Sequence, residues 1–204
     1  MTEPEITLAD PADRPRVVET FVAAFAADPA VRHFFPDDDA YPTQAATFVG
    51  QLFDKRVRRG GVWLADNGAA MALWDPPGNG STVDSLPAVD LPADVLARLD
   101  AYDAAVHHLL PSSPHWYLGV LATHPDHAGR RLGRAVMAAG VAAAWSAGLP
   151  AYLETSNPRN VEVYRSAGWG VAGETSTVDL RIWVMKAPVP AWAVRQSCGV
   201  PARR

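Results

Sequence analysis

Residues 115–134, HWYLGVLATHPDHAGRRLGR, confine the fold more than any other stretch. Trp116–Thr123 is an unbroken run of aromatic, aliphatic and β-branched residues, long enough for a buried strand, and His124-Pro125-Asp126 stops it. Gly129, Arg130, Arg131, Leu132, Gly133 and Arg134 come next and run into an Ala-rich helix expected over Ala135–Ala147. This order brings free helix N–H groups, the positive end of the helix dipole and guanidinium groups to one spot, which suits a phosphate or pyrophosphate. The arginines could also be the solvated start of an ordinary helix. The strand and the proline before them favour the phosphate reading.

The remaining chain supplies elements around that stretch. Ile6–Leu8 reads as a short strand, followed by a helix near Ala12–Ala27 with Val17, Phe21, Ala24 and Phe25 on one face. Asp28-Pro29 caps a short helix over Ala30–Phe35, and a longer one follows over Pro42–Val57. Asn67-Gly68 between Val62–Ala65 and Ala69–Asp75 predicts an antiparallel hairpin. Residues 76–92 read as loop, Ala93–Leu110 as a helix ended by prolines, and Ala151–Thr155 as a strand. Asn157-Pro158 opens a helix capped by Gly168, then Trp169–Gly173 and Val178–Met185 close the set as strands. Residues 1–187 form one expected domain and residues 188–204 a Pro-rich tail.

Composition narrows the partner. With 204 residues, 49% of them hydrophobic, the chain can bury one good core. A net charge of −4 gives no global basic field for nucleic acid or anionic lipid, so a phosphate site must be local and the partner small. The single cysteine, Cys198, lies in the tail and rules out an intramolecular disulfide, in keeping with a reducing cytoplasm. The acidic N-terminal stretch is unlike a signal peptide. The Ala-rich helix is shorter than the roughly 20 residues a membrane span needs. Either a monomer or a homodimer is compatible with this composition.

Strand, phosphate turn, helix, strand, helix and closing hairpin, after an N-terminal strand, helices and hairpin, resembles the GNAT superfamily of acetyl-CoA-dependent N-acyltransferases. The superfamily's Gln/Arg-x-x-Gly-x-Gly/Ala motif falls on Ala128–Gly133, and its Asn-x-x-Ala-x-x-x-Tyr pattern on Asn157–Tyr164. Ala128 stands where Gln or Arg is usual and Arg131 where the middle glycine is. FAADPAVRHFFPD, VWLADNGAAMALW, ATHPDHAGRRLG and AYLETSNPRNVEVYRSAGW are similar to stretches of the aminonucleoside-acetylating branch, linked to antibiotic resistance. The resemblance implies a mixed α/β fold: a mostly antiparallel sheet of about six to seven strands with helices on both faces and a splayed cofactor cleft.

It also implies direct transfer from acetyl-CoA to the primary amine of a small molecule, such as an aminonucleoside antibiotic or another aromatic amine-bearing metabolite. The alternatives are a protein or peptide acetyltransferase and a non-catalytic acyl-CoA-binding module. Leu121, Ala122, Thr123, Gly129, Arg130, Arg131, Leu132, Gly133, Arg134, Asn157 and Tyr164 would hold acetyl-CoA, with a backbone N–H near Leu121 polarising the thioester carbonyl. Tyr164 would protonate the leaving thiolate, or else be a half-buried aromatic. Glu154 would be the base, or else a carboxylate paired with Arg159 or capping the helix at Asn157. Phe25, Asp28, Phe34, Phe35 and Trp116 would form the acceptor wall, or else be core. Asp37–Asp39 is an ordinary loop unless it lies beside the pocket, where it would attract an ammonium. No metal is expected at His115, His124 and His127, which lack carboxylate or cysteine support.

Overall fold

The computed structural model describes residues 3–78, 90–177 and 179–193. Cys198 and the rest of 194–204, with most of the expected loop at 79–89, lie outside the described residues. Seven strands form a single sheet: β1 (Ile6–Leu8), β2 (Val62–Ala65), β3 (Ala70–Asp75), β4 (Trp116–Thr123), β5 (Ala151–Thr155), β6 (Gly170–Ser176) and β7 (Arg181–Ala187), in the order β1-β2-β3-β4-β5-β7-β6. Every neighbouring pair is antiparallel except β4 with β5. That parallel pair needs a crossover, and the Ala-rich helix provides it.

Helices α1 (Arg14–Ala24), α2 (Pro29–Phe34), α3 (Tyr41–Val57) and α4 (Ala93–His107) cover one face, while α5 (Leu132–Ser146) and α6 (Pro158–Ser166) cover the other. β3 is buried on both sides: Ala70, Ala72 and Trp74 face α5, and Met71 and Leu73 face α1 and α3. The small residues of α5 let it lie close to the sheet. A Cβ at Gly140 would overlap the indole of Trp74, so only glycine fits there. Among the described residues, no helix is long and apolar enough to cross a membrane.

The hairpin forms as expected, with Asp66, Asn67 and Gly68 at φ of 46°, 57° and 89° between β2 and β3. Several ends differ from the sequence reading. Helix α4 stops at His107, short of Leu110, and tighter turns at Leu109 and Leu110 lead to Pro111. Helix α5 starts at Leu132, three residues before Ala135, because Arg131 takes the left-handed conformation that caps it. The last two strands run to Ser176 and Ala187, since cross-strand pairing carries them past Gly173 and Met185.

Candidate active site

β4 and β5 pair only across Trp116–Leu118 and Ala151–Leu153. Past Leu118 the strand stays with β3, and past Leu153 its neighbour stays with β7, so the two part into a wedge open at their C-terminal ends. Val120 to Thr123 thus have ladder partners on the β3 side alone, leaving an edge that an extended ligand can pair with. At the apex, Val120 opposes Leu73 and Leu118 opposes Trp74, which leaves Gly119 as an extra residue. This bulge reverses the alternation: Leu118 packs towards α5, while Val120 and Ala122 pack towards α1 and α3. A Cβ at Gly119 would sit 3.0 Å from the Arg56 guanidinium beneath it. Arg56 is nearly fully buried and paired with Asp75.

The turn after β4 lies at the mouth of the wedge. Gly129 has φ +77° and nothing within 4 Å of where a side chain would begin, so its backbone faces open space. Arg131, at φ 62°, caps α5 without a side-chain hydrogen bond. The first-turn N–H groups of Leu132, Gly133 and Arg134 therefore have no intrahelical acceptor. The expected phosphate residues divide by surroundings. Arg131 is exposed, Arg130 is held by Asp66 at 2.6 Å, and Arg134 reaches the Ser166 carbonyl at 3.5 Å. Leu132, the first residue of α5, is buried in the core, and Gly133 packs against Thr123.

On the α6 side, Asn157 uses its side-chain oxygen to accept from the Arg159 N–H at 3.0 Å, and its own N–H donates to Thr155 Oγ1. Tyr164 is buried with its ring 6.2 Å from Trp169. Burial pushes its phenol far above the ordinary tyrosine range, with the Glu154 and Asp28 charges adding to the effect. A phenol in that state keeps its proton at neutral pH.

Glu154 is the first β5 residue past the last pair with β4, and it leaves the sheet on the α4 face. Its partner is neither Arg159 nor the α6 N-terminus, which Asn157 caps: the hydroxyl of Tyr117 donates to its Oε2. Burial raises Glu154 to about 7, while the Tyr117 hydrogen bond and its own backbone N–H pull the other way. Such a carboxyl can gain and lose a proton near neutrality.

The expected acceptor residues do not share one wall. Phe34 stands edge-on to Tyr102 at 5.0 Å, and Tyr102 lies near enough to Glu154 and Asp28 to respond to both charges. Asp28 caps α2, accepting from Ala30 and Val31, and burial raises its carboxyl. Phe25 is half-buried against Phe21 at 4.5 Å. Phe35 is fully buried in the core against Phe48, and Trp116 packs on the opposite face of the sheet with Trp63 and Trp74. Both corrections have one cause: strand alternation and helix packing set the direction of a ring, which composition does not reveal. In the acidic loop, Asp38 pairs with Arg32 and Asp37 accepts from the Asp39 and Ala40 N–H groups. Sequence reasoning missed Tyr117, Tyr102, Asp103 and Arg56 around Glu154.

Several solved structures share this architecture. A protein described as histone acetyltransferase HPA2 and related acetyltransferase, from Corynebacterium glutamicum, is 24% identical with a TM-score of 0.65, over 93% of this chain and 98% of that one. Arylalkylamine N-acetyltransferase 2 from Aedes aegypti is 12% identical with a TM-score of 0.69, over 93% and 100%. The ribosomal-protein-S18-alanine N-acetyltransferase from Escherichia coli is 15% identical with a TM-score of 0.55, over 99% and 99%. The chain has the GNAT fold, and its residues 96–169, which run from α4 through the wedge to the end of α6, match the acetyltransferase (GNAT) family.

Proposed function

We propose that the chain is an acetyl-CoA-dependent N-acetyltransferase that passes the acetyl group directly to the primary amine of a small molecule. The observation that carries this is the junction at the wedge. A backbone turn with open space at Gly129 and free N–H groups at the start of α5 lies at its mouth, and a carboxyl that titrates near 7 lies at its apex. The family match and the fold agree with it. The same features fit acetyl-CoA: the turn suits a pyrophosphate, and the one-sided edge of Val120 to Thr123 suits an extended amide arm such as pantetheine.

Bound acetyl-CoA supplies an activated acyl group and a thiolate leaving group. The chain's own residues do the rest. Glu154 takes a proton from the acceptor ammonium, so that the neutral amine attacks and a C–N bond forms. Backbone N–H groups near Leu121 polarise the carbonyl. As the C–S bond breaks, Tyr164 would give its phenolic proton to the sulfur and regain one from the nitrogen of the new amide, while the proton on Glu154 passes to solvent. The acceptor has an aromatic or nucleoside-like body, because the half-buried Tyr102, backed edge-on by the buried Phe34, puts an aromatic ring near Glu154, and Asp28 offers one further negative charge. Burying a ring at ~25 cal/mol per Å² contributes a few kcal/mol, while an exposed acid attracting a cation contributes about 1 kcal/mol or less.

Thiol release from acetyl-CoA tests the reading. The panel is puromycin, an arylalkylamine, spermidine and a lysine peptide, compared by kcat/KM. The aromatic amines should lead, and Phe34→Ala should lower their rates. Spermidine or the peptide leading, with Phe34→Ala neutral, would move the protein to polyamine or peptide acetylation. Acetyl-CoA binding without transfer to any amine would leave a binding module.

A further inference from the structure

Tyr117 and Glu154 meet across the apex of the wedge. Tyr117 lies within the short parallel stretch, opposite Tyr152, and Glu154 is the first residue of β5 beyond the pair Leu118 and Leu153. Both side chains leave the sheet on the α4 face, where the Tyr117 hydroxyl donates to Glu154 Oε2. A carboxylate has no proton to give, so the phenol is the donor and one of the two oxygens is taken. A charge-assisted bond in a poorly solvated place is stronger than an exposed one. The phenol is no base itself, since burial and the Glu154 charge push it well above the ordinary tyrosine range.

We infer that Tyr117 is a positioning residue for acyl transfer: its O–H fixes the Glu154 carboxylate across the apex and leaves the other oxygen to take the proton of the acceptor amine. This rests on the reading of Glu154 as the base. The charged and titratable groups around Glu154 are Tyr117 on β4, Arg56 on α3, Tyr102 and Asp103 on α4, and Tyr164 on α6. Among the influences that keep Glu154 charged, the Tyr117 hydrogen bond is the largest, ahead of its own N–H and of Arg56, while burial and Asp103 oppose them. Without the O–H, burial prevails further and the carboxyl holds its proton to higher pH. The position of Tyr117 is also structural economy: two residues before the Gly119 bulge, it is anchored by ladder bonds to both β3 and β5. A donor so anchored loses little freedom when it binds.

The test is Tyr117→Phe, which keeps the ring and its packing. With 13Cδ-labelled glutamate the chain shows six side-chain signals, and Glu154→Gln identifies the one that matters. The Glu154 midpoint should move up by about one pH unit in Tyr117→Phe, and the acid limb of kcat/KM should move with it. Near neutral pH that is roughly a tenfold loss, recovered at higher pH, with KM for acetyl-CoA unchanged. A purely structural tyrosine would instead lower the rate equally at every pH. An unmoved midpoint, or a loss independent of pH, overturns the inference. An unfolded variant could not recover its rate at high pH, so misfolding cannot imitate the expected result. The titration needs no acceptor: a shifted midpoint in a protein that transfers no acetyl group would overturn the proposed reaction, and a working enzyme with an unmoved midpoint would overturn Tyr117 alone.

Discussion

The Thr123 hydroxyl at the end of β4 occupies the space a side chain would need at Gly133 in the first turn of α5, where a Cβ would fall 2.8 Å from Oγ1. Thr123 is tied to Ala70 in the ladder, so the helix is the partner that must move. Gly133→Ala should lift the α5 N-terminus, cost about 1–3 kcal/mol of stability and weaken acetyl-CoA binding about tenfold. Thr123→Ala in the same chain should restore much of both, since it removes the obstructing hydroxyl. Urea denaturation and calorimetry with acetyl-CoA read the two effects. A single variant that binds like the wild type would mean that the close approach of α5 to β4 has no bearing on the phosphate turn.

Glu154 should leave a signature in stability as well as in rate. Its carboxyl is raised to about 7 in the folded protein by burial, above its value in the unfolded chain. The folded state therefore binds the proton more tightly, and this contribution to stability is full at acid pH and is lost as pH rises through about 7. Glu154→Gln removes the charge that burial penalises. It should be more stable than the wild type at pH 8 by on the order of 1–3 kcal/mol, with the gain fading towards pH 5. Its kcat/KM should fall about a hundredfold and lose the acid limb near pH 7. An equal stability difference at both pH values would argue against a buried, titrating carboxyl.

Tyr164→Phe separates proton donation from packing. The ring stays against Trp169, so the variant should fold as before and bind acetyl-CoA within about twofold of the wild type. Loss of the phenolic proton should lower kcat about a hundredfold. An unchanged kcat would show that solvent protonates the thiolate and that Tyr164 is a packing residue.

Much of this was legible in the sequence where local chemistry decides local structure. Trp116–Thr123 reads as a strand from its composition and its proline stop, and Ile6–Leu8, Val62–Ala65 and Ala151–Thr155 have the expected ends. The Gly119 bulge was not legible, because a run of apolar residues conceals a change of face. That reversal sends Trp116 and Leu121 to the α5 side and Tyr117, Val120 and Ala122 to the other. The contact of Tyr117 with Glu154 spans 37 residues and depends on the parallel register of β4 and β5. Alternation alone would place each opposite its buried neighbour, Leu118 or Leu153. Arg130 reads as a free phosphate ligand until the hairpin brings Asp66 beside it, 64 residues away in sequence.

Arg131 carries the last prediction, because stability and binding should respond to it with opposite signs. It holds φ 62° at the α5 cap, a left-handed conformation that glycine adopts freely and an arginine adopts at a cost of about 1–2 kcal/mol. Its side chain is exposed, and no core packing would be lost on removing it. Arg131→Gly should therefore raise stability by up to about 1 kcal/mol, less the entropy that glycine gains in the unfolded chain. Its guanidinium is an exposed cation of the turn beside free N–H groups, whereas the exposed Arg130 is engaged by Asp66 and Arg134 reaches the Ser166 carbonyl. If it lies along the phosphates, the same variant should weaken acetyl-CoA binding severalfold, more so at low salt. Thermal unfolding without ligand and calorimetry at two salt concentrations would measure both. Tighter binding together with higher stability would mean that the side chain obstructs the pyrophosphate, and that the turn binds through its backbone alone.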